Sequence, residues 1–277
     1  MKHTRQEVVR FHKIVLDYYQ KHRRDLPWRP PTLPLRKDGT ADPYAILVSE
    51  VMLQQTQVER VTLKFLEWMR KFPTPESLAK ASLGDVLKLW QGLGYNRRAL
   101  NLKRAAEMIV KEYGGEVPRD IEKIDALPGV GPYTAGAIAA FAFGIPSAFI
   151  ETNIRTVYLH FFFKGKKDVT DEEILEAVGK TLPRKNIRDW YYALMDYGVM
   201  LKHTVGNQNA RSSEYAKQSA FKGSRREVRG EILRKATERR TVSPREIAAD
   251  GHSVQDIFAE LVSEGFLKRK GRRFIIA

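Results

Sequence analysis

The sequence predicts a mostly α-helical protein with a small helix-and-hairpin module at its C-terminal end. Three observations predict it. Apolar residues recur at helical spacing along most of the chain, first at Val8, Phe11, Ile14, Val15 and Tyr18. Two glycine turns, Gly92-Leu93-Gly94 and Gly129-Val130-Gly131, each run into a further helical segment. Only Gly265 to Ile276 reads as strand, a hairpin with a basic tip.

Composition narrows the function. The 277 residues are 43% hydrophobic, enough for a sizeable core and two or three domains. A formal charge of +15 and a pI near 9.9 call for a polyanionic partner, because so large a basic excess otherwise only repels itself. Nucleic acid is the leading candidate. Zero cysteines exclude disulfides, a thiol nucleophile and any cysteine-ligated cluster or zinc, and the six histidines are scattered without metal-ligand spacing. No apolar run of membrane length and no signal-peptide pattern are present, so a soluble, cytoplasmic and nucleoid-associated protein without membrane contact is expected.

In chain order, residues 4–22 form an amphipathic helix that ends in a basic run. Asp25-Leu26-Pro27-Trp28-Arg29, followed by Pro30, Pro31 and Pro34, cannot be helical and reads as an extended crossing with Trp28 as a packing anchor. A helix opening at Asp42-Pro43 carries Ile46, Leu47, Val48, Val51 and Met52, with Glu50 among them. A carboxyl on such a face is costly unless paired or put to use, so Glu50 is the acid candidate of the first half. Gln54-Gln55-Thr56-Gln57 follows, four uncharged hydrogen-bonding residues that suit either base contact or a polar loop. Residues 61–71, 77–90 and 97–113 give three more helices. Between the last two, Leu93 and Tyr95 stand on a glycine turn beside Asn96 and Arg97; a wedge into a base stack and a helix cap with its staple both fit.

The stretch Leu127 to Arg155 joins an anion site to an acid at fixed distance. Gly129, Val130 and Gly131 permit a tight turn, and Pro132-Tyr133-Thr134 starts a helix whose free amides suit a phosphate. The small residues Ala135 to Ala140 allow close helix packing. Glu151 follows the apolar Phe149-Ile150, either as an acid at the core edge or as the cap of the helix through Ile154.

The pairing of LPGVGPYTAG (127–136) with Glu151 resembles the helix-hairpin-helix DNA glycosylase superfamily. SEVMLQQTQV (49–58), LWQGLGYNRRALNL (89–102) and ALMDYG (193–198) resemble its MutY adenine glycosylase group, and RRDLPWR (23–29) with LPGVGPYTAG resembles the thymine–DNA glycosylases that act on T opposite G. The resemblance covers residues 8–203. It implies a monomeric enzyme of base-excision repair that flips a mispaired or damaged base out of double-stranded DNA and hydrolyses its N-glycosidic bond. The expected base is adenine opposite guanine or oxidised guanine. Thymine or uracil opposite guanine is the alternative, and a non-catalytic DNA-binding protein the second.

By the same resemblance, Glu50 protonates the departing base and places water, and Glu151 stands where the family has aspartate and stabilises the cationic sugar. Asn153 orients Glu151. Gln54, Gln55, Leu93, Tyr95, Asn96, Arg97, Gly129, Val130, Gly131 and Thr134 are the expected DNA contacts. Tyr133 occupies the position of the Schiff-base lysine of bifunctional relatives, so a monofunctional enzyme is expected. The chain also departs from the family pattern after His203, where a four-cysteine iron–sulfur loop usually begins: no cysteine follows, and no cofactor is expected.

The expected organisation is one lobe from 1–42 with 148–203, a second from 43–147 containing the helix-hairpin-helix at 120–143, and the catalytic cleft between them. A basic loop or linker follows over 204–223, then a winged-helix-like domain over 224–277. That domain is built from helices at 227–237, 243–249 and 253–264 and the basic hairpin; residues 202–277 carry 17 Lys plus Arg against 9 Asp plus Glu, a net +8. Nothing there resembles the domain that inspects oxidised guanine in the MutY group.

Overall fold

The structure, a computed structural model, describes residues 4–215, 220–248 and 251–277. Residues 216–219 of the expected basic loop and residue 249 of the expected helix 243–249 lie outside the described residues. The chain divides into two compact units, residues 1–47, 118–126 and 130–217 in the first and 48–117, 127–129 and 218–277 in the second.

The first unit holds α1 (Arg5–His22), the start of α2 (Pro43–Leu53), α7 (Ile121–Asp125), α8 (Pro132–Phe143), α9 (Thr152–Phe161), α10 (Asp171–Thr181) and α11 (Ile187–Thr204). The helix α1 starts at a Thr4 capping box and buries Phe11 and Val15. The Phe11 ring meets Tyr158, Phe162 and Trp190 at 5.5, 4.8 and 5.3 Å, so α1, α9 and α11 share one aromatic core. Trp28 is buried, as a packing anchor should be. Every residue of α8 from Ala135 to Ala142 is buried. A helix apolar all round needs cover on all sides, and α7 and α11 both pack on it. In this division residues 118–126 and 130–147 group with the N-terminal helix.

The second unit holds the end of α2, α3 (Val58–Lys71), α4 (Pro75–Lys80), α5 (Leu83–Trp90) and α6 (Arg97–Tyr113). Trp68 lies edge-on to Trp90 and Phe72, at 5.5 and 5.1 Å, and forms its aromatic centre. The single helix expected over 77–90 is two. Ala81 is extended, and Ser82 begins a new helix by accepting from the Asp85 amide at 3.1 Å, a cap that periodicity alone does not reveal. Left-handed Gly114 ends α6.

The C-terminal elements belong to this second unit: α12 (Arg225–Arg239), a single 3₁₀ turn Pro244–Glu246, α13 (Val254–Ser263), β1 (Leu267–Lys270) and β2 (Arg273–Ile276). The antiparallel hairpin pairs Leu267 with Ile276, and Val242 adds a one-residue bridge to Phe274. Phe258 packs on Phe274 at 4.7 Å. The middle helix expected from 243 is only the 3₁₀ turn among the described residues: Ser243 caps it, but Ile247 is already extended.

Candidate active site

In the first unit the site is built around Glu151. This residue is the N-cap of α9: Oε1 accepts from the amides of Asn153 and Ile154 at 2.7 and 2.8 Å, and Oε2 accepts from Asn153 Nδ2 at 3.1 Å. Of the two sequence readings of Glu151, capping is realised, and it leaves the carboxylate fixed in place. Burial pushes its pKa up, opposed by the two amides and by the charges of Arg155 and Arg24. Asn153 is held in turn by α11. A Cβ at Gly198 would come within 2.7 Å of the Asn153 Cβ, so only glycine lets α11 approach this closely. Gly136 acts likewise, since a Cβ there would meet Ser147 Oγ at 2.8 Å on the segment leading to Glu151.

An ion cluster lies in the same unit. Asp196 on α11 accepts from Arg24 Nε at 2.7 Å, from the Arg24 amide at 3.0 Å and from Arg29 Nη1 at 2.9 Å. Arg29 and Asp196 are almost fully buried, and the Arg29 guanidinium stacks over Tyr192 at 4.3 Å. The motifs RRDLPWR and ALMDYG are thus two halves of one contact. Sequence reasoning missed Asp196 although a lone carboxylate among apolar helical positions is the pattern that singles out Glu50.

The turn after α7 reaches Gly131, the extended N-cap of α8, with Pro132 at the first helical position and no side-chain cap. Tyr133 is exposed and Thr134 half-buried. Gly129, counted with the second unit, has φ of 80°, and a Cβ there would approach the Asn101 Cβ to 2.7 Å. Both its backbone and its surroundings therefore require glycine.

In the second unit Glu50 is half-buried on α2, the only charged residue of that helix, between buried Ser49 and Val51. Gln55 and Tyr95 are exposed, and both have left-handed backbones, with φ of 54° and 48°. One residue explains how these loops are held. Arg98 is 9% exposed and points inward: Nη1 donates to the carbonyls of Val51, Met52 and Gln54 at 2.9, 2.9 and 2.5 Å. Its Nη2 donates to Thr56 Oγ1, Leu93 O and Gly94 O at 2.9, 3.0 and 3.1 Å. The guanidinium satisfies the orphan carbonyls at the end of α2 and ties them to the glycine turn. Burial lowers its pKa to about 10, so it stays charged at neutral pH. Sequence reading missed the inward role of Arg98.

Leu93 requires a correction. It is 3% exposed and belongs to the core, because the turn is folded back on Arg98 and Trp90; it cannot be an exposed wedge in this conformation. Asn96 precedes α6 without a side-chain cap bond, Arg97 pairs with Glu264 at 2.6 Å, and Gln54 is half-buried.

The residues do not fit an iron–sulfur cluster. With no cysteine in the chain, the segment after α11 is fastened by polar side chains instead. Asn209 Nδ2 donates to Thr156 Oγ1 at 3.0 Å, and Arg211 donates to the carbonyls of Leu159, Phe163 and Lys166. Among the described residues no group of three His, Cys, Asp or Glu stands ready for a metal ion, and no helix is long and apolar enough to cross a membrane.

Residues 48–184 match the family described as HhH-GPD superfamily base excision DNA repair protein. The chain is 46% identical over 156 residues to the human adenine DNA glycosylase, covering 54% of this chain and 28% of the relative. It is 37% identical over 186 residues to the adenine DNA glycosylase of Mycolicibacterium smegmatis, covering 67% and 61%. It thus spans less than two thirds of the length of either relative. Among solved structures, a thermostable thymine-DNA glycosylase is similar at TM-score 0.59 and 28% identity, over 70% of this chain and 87% of that one. A trapped endonuclease III–DNA covalent intermediate is similar in fold, at TM-score 0.57 and 20% identity over 80% and 92%.

Proposed function

From the premise that the chain carries an HhH-GPD base excision repair domain, we propose that it is a monofunctional DNA N-glycosylase acting on adenine mispaired with guanine or oxidised guanine in double-stranded DNA. The observation that carries this reading is Glu50, the one charged group on an otherwise apolar helix, within the segment that resembles adenine glycosylases. In this reading Glu50 donates a proton to the departing adenine as the bond from C1′ to nitrogen breaks, then accepts one from the water that attacks C1′. Glu151, fixed in place by two amides and Asn153, stabilises the cationic sugar in its ionised form. The products are free adenine and an abasic site. Tyr133 offers no amine, so no covalent adduct forms and the strand stays intact. The net positive charge and the winged-helix-like order of the C-terminal elements support duplex DNA as the partner.

A second reading has its own support. Similarity to a thymine-DNA glycosylase structure, together with Tyr133, favours thymine or uracil opposite guanine. Single-turnover base release on duplexes carrying A:G, A:8-oxoguanine, T:G and U:G pairs tests both. Adenine release that gives a strand break only after alkali is the expected result. Release of pyrimidine alone would establish the second reading, and Glu50→Gln with unchanged release would remove Glu50 from the mechanism.

A further inference from the structure

Tyr95 is gripped by a residue far from it in sequence. Two guanidinium groups stand over its ring, Arg98 at 5.7 Å from the ring centre and Arg226 at 5.4 Å. Arg226 Nη1 also donates to the Tyr95 hydroxyl. Arg98 belongs to the helix that follows the turn, but Arg226 is the second residue of α12, in the C-terminal module.

The approach is built rather than incidental. The helix α12 packs on α5, the helix that ends at this turn. Glu264 then pins the module beside it, pairing through one oxygen with Arg97 and through the other with Arg229, each at 2.6 Å. Its backbone carbonyl accepts from Arg104 at 3.0 Å. Glu260 holds Arg225 and Arg229 at 2.5 and 3.2 Å. Two acids thus fix the start of α12 against the turn, with Arg226 directed at the tyrosine. A cation over an aromatic face restrains the ring, and a charge-assisted bond to the hydroxyl fixes its direction.

We propose that Arg226 is a positioning residue for Tyr95: the C-terminal module holds the aromatic ring in the orientation from which it enters the base stack, and so takes part in base extrusion as well as adding charge. This rests on the glycosylase reading only for the purpose of extrusion; the clamp is a property of the turn itself. An intercalating ring held ready avoids the entropy of ordering it on DNA.

The test uses the full chain at saturating concentration, a duplex with 2-aminopurine beside an A:G pair, and stopped-flow fluorescence as the measure of unstacking. Arg226→Ala should slow unstacking about tenfold, and Arg226→Lys should recover part of the loss. In a Tyr95→Leu background, Arg226→Ala should have no further effect, which a general phosphate contact or a folding defect would not reproduce. An equal loss in both backgrounds, or a change in affinity and salt dependence alone, overturns the proposal. Adenine release is followed in the same samples. Wild-type unstacking without release of any base would end the glycosylase reading and leave the Arg226–Tyr95 coupling to be judged on fluorescence; a wild-type chain that does not unstack the duplex overturns the coupling as well.

Discussion

Two turns with the same glycine spacing face opposite ways chemically. Gly129-Val130-Gly131 ends at the N-cap of α8, where Gly131 makes no side-chain cap bond. Gly92-Leu93-Gly94 folds its carbonyls onto Arg98 and presents the ring of Tyr95 instead. The first turn is the proposed donor site, and the second is an acceptor site already filled by the protein's own cation. What separates them lies just beyond the glycines: Pro132 at the start of one helix adds no donor, while Arg98 at the start of the other brings a fork of them. Glycine spacing alone therefore identifies a turn but not what it offers.

Removing the cation should have the largest effect. Arg98→Met strips six hydrogen bonds from buried carbonyls and the Thr56 hydroxyl, and is expected to destabilise the second unit by about 3–5 kcal/mol in urea unfolding. Arg98→Lys should recover little, since a single ammonium cannot span both rows of acceptors. A loss below about 1 kcal/mol would mean that water replaces the guanidinium and that the second turn is held by its glycines.

Glycine replacements sharpen the contrast at lower cost. Gly129→Ala strains a left-handed backbone and also collides with Asn101, whereas Gly92→Ala, at φ of 91°, meets nothing within 4 Å. Thermal unfolding should show Gly92→Ala costing about 1–2 kcal/mol and Gly129→Ala about 1–2 kcal/mol more. Equal costs would show that Asn101 yields freely. If the first turn holds a phosphate as proposed, Gly129→Ala should also weaken binding to a duplex with an abasic-site analogue, and Gly92→Ala should not.

The features legible in the sequence were those carried by local pattern. The helix at 97–113 follows from its apolar period, and the hairpin within 265–276 from its basic tip between apolar ends. Resemblance supplied the candidate roles of Glu50 and Glu151 where local pattern left them open. The misses were groups whose partners lie far along the chain or whose burial contradicts their type. Asp196 lies 172 residues from Arg24, and Arg226 lies 131 from Tyr95. Arg98 is a charged residue in the interior, against the usual rule, and its neighbour Arg97 is exposed; an Arg-Arg pair gives no sign of which one turns inward. Leu93 was misread for the complementary reason, since an apolar residue on a turn fits a wedge and a core equally well.

The smallest expected effect concerns the acid downstream of the first turn. Glu151 is an acceptor, its carboxylate taking the free amides at the start of α9. Desolvation nevertheless raises its pKa, with Arg155 and Arg24 pulling it down. If the ionised form is needed to stabilise the cationic sugar, the acid limb of single-turnover base release lies above the ordinary glutamate range. Arg155→Gln removes one opposing charge and should move the limb further up. The sign for stability is the reverse of that for a salt-bridged carboxylate. A folded-state pKa above the unfolded one contributes stability that is full below the unfolded value and is lost as pH rises through the folded value. Ionised Glu151 thus costs folding free energy at neutral pH. Glu151→Gln keeps an oxygen for the two amides and removes that cost but gives up the bond accepted from Asn153 Nδ2, so it should melt within about 1 kcal/mol of the parent at pH 7 while losing base release. A variant that melts markedly lower would assign Glu151 to the cap alone, and one that keeps its release rate would take the stabilising charge away from this residue.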